Sequence, residues 1–399
     1  MNRKNIKKHW PAKFWEKTSK PEFKIMTRQT HYHKEKTSIL FLGSTVLLVL
    51  LGLALMANSS IPISQSNFGE SYYYLRHQLI FGIGLGIAAL IIASRIKFSW
   101  LKKIALPAII ASAILLALVF VPGIGYSAGG AKRWLNILGA SFQPSELAKL
   151  ALIIYLAYWL ESKKEKIKNP MLIIPILLWA GLIGGLVLLE PDYGTFLIIS
   201  VIAWGMYFAS GAKYKTILAV ALIGLVALTA LIIIEPYRRD RIMSFFNPQK
   251  DIIGKSYQHN QALIAIGSGG VFGRGLGKGI QKYSYLPETI GDSVFAITAE
   301  ELGLVGAAGV LLLYLIWILS GLKIASKSNS LFAQYLAMGI VIWIGGQTFI
   351  NIIGILGLMP FTGVPVPFVS YGGTALMVEL AAVGLVLNVA KRQEKHVRL

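Results

Sequence analysis

The sequence predicts an all-α, polytopic membrane protein with ten transmembrane helices. Three observations carry that expectation. Of 399 residues, 55% are hydrophobic and 14% charged, which is too apolar and too charge-poor for an ordinary soluble domain. The apolar residues gather into runs long enough to cross a bilayer. The connections between runs alternate between Lys/Arg-rich and Lys/Arg-poor, the asymmetry that sets membrane orientation.

Residues 1–36 form a basic cytoplasmic tail, with 11 Lys and Arg against Glu16, Glu22 and Glu35. Such a segment is expected to lie disordered against an anionic leaflet. The first run, 38–57, lacks an A-x-A cleavage pattern and reads as a retained anchor. Nine further runs follow at roughly 77–95, 104–121, 146–160, 171–189, 194–209, 216–233, 293–322, 331–356 and 375–390. Residues 37–390 are one membrane domain, and 391–399 are a second cytoplasmic tail. With the amino terminus inside, the inner loops hold Arg95, Lys97, Lys102 and Lys103, then Lys163, Lys164, Lys166 and Lys168, then Lys213 and Lys215, then Lys323 and Lys327. The short outer loops hold only Arg76, Lys132 and Arg133. An even number of spans puts both termini in the cytoplasm.

Two connections depart from plain loops. Residues 235–292, between spans 7 and 8, form a large extracytoplasmic loop with eight bases: Arg238, Arg239, Arg241, Lys250, Lys255, Arg274, Lys278 and Lys282. Long loops translocate largely regardless of charge, so topology does not account for these bases. A cationic surface for an anionic, lipid-linked substrate does. The stretch 357–374, GLMPFTGVPVPFVSYGGT, has three prolines and four glycines among apolar residues. Backbone of that kind persists at membrane depth only when it is enclosed by protein or lines a cavity, so this segment is expected to be re-entrant.

The formal net charge of +21 is largely a topological excess. No recognition motif accompanies it, so nucleic acid is not a partner. Zero cysteines exclude disulfides, thiolate catalysis and iron–sulfur clusters. No Ser-His-Asp order emerges, and no metal-ligating cluster; His31, His33, His77, His259 and His396 are scattered.

Asp292 is the leading candidate for chemistry. It opens an apolar run, where aspartate favours the helix N-cap and where desolvation raises a carboxylate towards the range of a general base. Glu190 and Asp192 flank Pro191 in a sharp break between spans, placed to orient a base or hold a cation. Lys132 and Arg133 stand in an outer loop, and Arg133 can grip a phosphate with two parallel hydrogen bonds. In Gln143-Pro144-Ser145-Glu146, Ser145 is placed to cap the next helix. Glu146 and Lys149, three apart, are placed to pair, and a lysine inside a span is a functional candidate. The run from Gly267 to Gly279 has seven glycines but matches neither common nucleotide loop. Its amides suit an anion nest charged by Arg274 and Lys278. Glu300, Glu301 and Glu379 read as packing or network acids.

Several segments together resemble the SEDS family (shape, elongation, division, sporulation) of bacterial peptidoglycan polymerases. They are AKRWLNILGASFQPSELAKL (131–150), EPDYGT (190–195), YRRDRIMSFFNP (237–248), YQHNQALIAIGSGGVFGRGLG (257–277), QKYSYLPETIGDSVFAITAEELGLVG (281–306) and GVPVPFVSYGGTALM (363–377). Each is weak alone; in this order they are specific. QKYSYLPE resembles the division branch more than the elongation branch. Gly291 and Ser293 depart from the family pattern, which more often has Thr before the aspartate and Phe after it.

The resemblance implies that Asp292 is the essential aspartate and that lipid II is polymerised on the outer face, releasing undecaprenyl pyrophosphate with inversion at the sugar. It also implies Gln258, Glu288 and Ser370, within the matched segments, as substrate-binding residues. The implied partners are a class B penicillin-binding transpeptidase and other division proteins, at the septum of the plasma membrane. No cofactor is called for with certainty, although a divalent cation (Mg or Mn) is compatible with a pyrophosphate leaving group. An elongation-type polymerase is the neighbouring alternative. From a different class, a lipid II flippase also fits the broken helix and the intramembrane charges, and a scaffold of the division machinery would not need Asp292.

Overall fold

The computed structural model describes residues 21–128, 131–137, 140–222, 224, 257–283 and 285–397. Residues 1–20, most of the outer loop with Arg238, Arg239, Arg241, Lys250 and Lys255, and the second half of the run 216–233 lie outside the described residues. Among the described residues the chain is helical with one small sheet. The helices are α1 (Pro21–Ser59), α2 (Ile61–Phe68), α3 (Tyr73–His77), α4 (Leu85–Ala93), α5 (Phe98–Leu118), α6 (Pro144–Ser162), α7 (Ile174–Leu189), α8 (Tyr193–Ala209), α9 (Tyr257–Gly269), α10 (Val294–Ser326), α11 (Leu331–Ile355) and α12 (Gly373–Val397). A π-helical stretch, Gln78–Gly84, joins α3 to α4.

Among the described residues, seven helices are long and apolar enough to cross a membrane: Lys36–Ser59, Tyr73–Ala93, Phe98–Leu118, Pro170–Leu189, Val294–Ser326, Leu331–Ile355 and Gly373–Arg392. Tyr193–Ala209 is a shorter apolar helix. The run at 146–160 is also helical and mostly buried within α6, but Glu146, Lys149 and Glu161 make it too polar to count with the seven. The run at 216–233 is helical as far as 222, so the expected count of ten rests on the sequence. α1 starts at Pro21, inside the expected tail; Lys, Arg, Glu and Gln sustain a helix that the apolar span nucleates.

α12 and α11 are the central posts, with 83% and 67% of their spans buried, against 17% for Tyr73–Ala93 at the periphery. The loops expected inside gather at one end. There Arg392 and Asn388 of α12 bond to the Ile96 carbonyl, and Lys102 pairs with Glu161 at 2.6 Å. The opposite end carries the EPD turn, the re-entrant segment, Asp292 and the sheet.

That sheet was not anticipated. β1 (Gly125–Ala128), β2 (Ala131–Ile137) and β3 (Ala140–Phe142) form an antiparallel meander in that order. It hangs on the start of α12 through Thr374, whose hydroxyl donates to the Ser141 carbonyl at 3.1 Å and accepts from the Gln143 amide at 3.4 Å.

Candidate active site

Asp292 sits in a turn just before α10. Glu288 takes a left-handed conformation (φ 51), and its carbonyl accepts from the Gly291 amide at 3.0 Å and the Ser293 amide at 3.2 Å. Ser293, not Asp292, is the N-cap of α10, and its side chain makes no capping bond. The expected capping role of Asp292 is therefore corrected: the tight turn puts the aspartate one residue outside the helix. Its Oδ1 instead accepts from Gln258 Nε2 at 3.2 Å and from Ser293 Oγ at 3.3 Å. Gln258 Nε2 also lies 3.2 Å from Ser293 Oγ. An amide and a hydroxyl on one oxygen keep this half-buried carboxylate oriented. Oδ2 faces Gly363, where a Cβ would come within 3.5 Å and where φ is +70.

The backbone around Asp292 is tied to the re-entrant segment by buried polar side chains of the central helices. Asn351 Nδ2 donates to the Asp292 carbonyl at 2.8 Å and the Val364 carbonyl at 2.6 Å. One turn earlier on α11, Gln347 Nε2 donates to the Pro365 carbonyl at 3.0 Å. Its Oε1 accepts from Lys149 Nζ at 3.0 Å and Trp343 Nε1 at 2.9 Å. Lys149 in turn pairs with Glu146 at 2.9 Å, the i, i+3 pair expected, with both side chains almost wholly buried. On the other flank, Ser370 Oγ donates to the Gly291 carbonyl at 2.6 Å and accepts from the Val366 amide at 2.8 Å. The Tyr371 amide reaches the Ile290 carbonyl at 2.7 Å.

Phe368 is held at φ 65, a conformation that costs a non-glycine residue about 1–2 kcal/mol. Its amide donates to the buried Glu379 carboxylate at 2.8 Å, and Tyr314 donates to the neighbouring Pro367 carbonyl. From the π-helical stretch, Gln78 accepts from the Gly372 amide at 3.1 Å. The extended, proline-rich backbone thus finds the partners that an irregular segment at membrane depth requires. Asn351, Gln347 and Gln78 were not singled out from sequence. Polar residues inside apolar spans were the available signal.

The EPD turn packs on the same segment. At Gly194 a Cβ would lie 2.7 Å from the Thr362 carbonyl, so only glycine permits this approach. Asp192 caps α8, accepting from the Thr195 amide at 3.0 Å and hydroxyl at 2.9 Å. Arg133 reaches from β2 to this turn. Its Nε donates to the Glu190 carbonyl at 3.1 Å and Nη2 to the Pro191 carbonyl at 2.6 Å, with Asp192 Oδ2 at 3.9 Å. Glu190 is 1% exposed, and neither carboxylate oxygen has a hydrogen-bond partner. Burial, reinforced by the Asp192 charge and opposed by Arg133, pushes its pKa up to about 8. Lys132, the next residue on β2, is exposed. Gln143, rather than Ser145, is the N-cap of α6, because Pro144 starts the helix. Ser145 Oγ is buried without a partner, which corrects its expected capping role.

Arg274 and Lys278 lie elsewhere. The glycine loop folds against α10 at Glu300 and Glu301, about 12 Å along the chain axis from Asp292 at 1.5 Å per residue. The amides of Ile280 and Gly277 donate to Glu300 at 2.8 Å and Glu301 at 2.9 Å. Lys282 pairs with Glu301 at 2.8 Å, both side chains buried. The loop's amides therefore bind the chain's own carboxylates in place of the external anion expected. Arg274 Nε is 4.0 Å from Glu300, and Lys278 is exposed.

The chain matches known proteins along nearly all its length. A family model described as "Cell cycle protein", FTSW_RODA_SPOVE, matches residues 38–395. A probable peptidoglycan glycosyltransferase FtsW of Geobacter sulfurreducens is 36% identical over 359 residues, covering 90% of this chain and 96% of that protein. The stage V sporulation protein E of Bacillus subtilis is 35% identical over 366 residues, covering 90% of this chain and 98% of that one. Among solved structures, a chain from a peptidoglycan synthase complex that coordinates polymerization and crosslinking aligns with a TM-score of 0.71 at 28% identity, over 88% of this chain and 97% of that one. The rod shape determining protein RodA of Thermus thermophilus aligns with a TM-score of 0.66 at 28% identity, over 89% and 97%. The motifs, the helical bundle and these matches agree: the chain belongs to the FtsW/RodA/SpoVE family, the SEDS proteins.

Proposed function

We propose that this chain is a peptidoglycan glycosyltransferase that polymerises lipid II into glycan strands at the outer membrane face during cell division. The observation that carries the reading is Asp292. Its carboxylate is oriented by Gln258 and Ser293, in a turn fixed from two sides by Asn351 and Ser370. Such a carboxylate suits a general base. It takes the proton of the acceptor's GlcNAc 4-hydroxyl as that oxygen bonds the anomeric carbon of the growing strand. The anomeric carbon–oxygen bond to undecaprenyl pyrophosphate breaks, and the lipid diphosphate leaves with the bonding pair. With no protein nucleophile, the centre inverts.

Charge on the pyrophosphate groups calls for fixed cations. Lys132 has a side chain open to such a role, whereas Arg274 and Lys278 sit on the glycine loop that folds against Glu300 and Glu301. Arg133 holds the EPD turn beside the re-entrant segment and so shapes the same end of the bundle. Among the described residues no three His, Cys, Asp or Glu side chains converge as a metal cage. A Mg or Mn ion here would be held chiefly by the substrate's phosphates and water, as magnesium commonly is. The QKYSYLPE segment and the FtsW-named relatives favour a division role at the septum, and the likeness to a synthase-complex chain favours a class B transpeptidase as partner.

The test is purified chain in liposomes with labelled lipid II and no ion gradient. Glycan strands with released undecaprenyl pyrophosphate are expected. A change only in the sidedness of lipid II would replace the enzyme with a flippase.

A further inference from the structure

α10 contains two helices joined at a break, and the break marks a level. Gly303 is non-helical (φ 68, ψ −167) within the 33-residue α10. The helix after the break, residues 304–326, is about 35 Å long at 1.5 Å per residue, close to the roughly 30 Å of hydrocarbon in a bilayer. Before the break, residues 293–301 are all buried. After it, Leu304 is 65% exposed and Val305 57%, and an apolar stripe continues through Leu312, Leu315 and Leu319 to Lys323. Residues 304–326 alone match one bilayer. Gly303 therefore lies at the hydrocarbon boundary on the Asp292 side.

The glycine loop is pinned to that level by its backbone. The amides of Leu304 and Val305 donate to the carbonyls of Gly270 at 2.9 Å and Val271 at 3.1 Å. The amides of Arg274 and Gly275 donate to Glu300 and Glu301 carbonyls, each at 3.0 Å. A Cβ at Gly273 would lie 2.2 Å from the Glu301 carbonyl, so the loop lies flush against α10. Its outward side chains are Val271, Phe272 and Leu276, with Phe272 82% exposed. They continue the lipid-facing stripe of α10, and exposed Arg274 and Lys278 stand beside them. Apolar side chains flanked by cations at a membrane boundary suit insertion below anionic headgroups.

We propose that the glycine loop is a membrane anchor, with Val271, Phe272 and Leu276 seated in the hydrocarbon of the leaflet on the Asp292 side and Arg274 and Lys278 at the level of its phosphates. The loop continues from α9, whose first turn carries Gln258, so the anchor sets the position of an Asp292 partner. The inference goes beyond the glycosyltransferase reading and does not rest on it.

The chain has no cysteine, so single labels report cleanly. Full-length Phe272→Cys and Leu276→Cys variants carry a nitroxide in nanodiscs of phosphatidylglycerol and phosphatidylcholine. Leu312→Cys is the bilayer reference and Glu165→Cys, in an exposed polar turn, the water reference. Collision with oxygen and with a water-soluble nickel chelate is measured. Oxygen-accessible, nickel-protected labels at 272 and 276, matching Leu312 and differing severalfold from Glu165, are expected. Labels as open to nickel as Glu165 overturn the proposal by placing the loop in water. Labels shielded from both reagents overturn it by placing a protein surface there.

Discussion

Asp292 and the pair Glu300–Glu301 are acids at the same end of α10, about two turns apart, yet their surroundings give them opposite fates. Glu300 and Glu301 are fully buried and bind loop amides and Lys282; their charge holds a fold together. Asp292 is half-buried in a turn outside the helix, with Gln258 and Ser293 bonded to one carboxylate oxygen and the other oxygen beside Gly363. An acid sealed in the core by a lysine and backbone donors is out of a substrate's reach. An acid at the partly exposed edge of a turn stays within reach of one. Along this element, burial is what separates the two kinds of acid.

The sharpest way to break the comparison is Asp292→Asn. Loss of a general base is expected to slow lipid II polymerisation by about 10²–10⁴-fold, with the thermal melt of the purified protein unchanged. Glu301→Gln should do the reverse. It strands the buried Lys282 charge, which costs roughly 3–5 kcal/mol of stability and shows as a lowered melting temperature in detergent. Asn351→Ala sharpens the link between scaffold and base. Two buried carbonyls lose a donor, at about 1–3 kcal/mol, and kcat should fall more than KM rises.

The mildest effect concerns Glu190, just past the end of the α7 span. Its pKa is about 8 in the folded chain against an ordinary 4.5, so between those values the folded state holds a proton the unfolded state has released. Stability from this group is complete below about 4.5 and declines as pH rises towards about 8. Glu190→Gln should flatten that slope in melts across the window. A slope of unchanged steepness would show that Glu190 does not titrate there.

Much of the architecture was legible because bilayer length and loop charge act locally. Asp292, the EPD turn, the Glu146–Lys149 pair and the Pro/Gly-rich segment each announced themselves by a residue type out of place in an apolar chain. The rest depends on distant partners. Asn351 meets Asp292 from 59 residues away and Ser370 meets Gly291 from 79, and no local pattern encodes such pairings. The capping expectations for Asp292 and Ser145 each missed by a residue or two, because a left-handed Glu288 and a proline at N1 moved the helix starts. The glycine run looked like an open anion nest; the acids that occupy it lie further on in α10. The three short strands lack a clean alternating pattern and were invisible for that reason.

The most direct measurement is lipid II polymerisation by Asp292→Asn and Glu301→Gln side by side, each normalised to folded protein. The account predicts a folded but inactive Asp292 variant, and a Glu301 variant that is less stable yet active per folded molecule. A folded Asp292→Asn protein polymerising at the wild-type rate, or a stable Glu301→Gln protein with no activity, would contradict it.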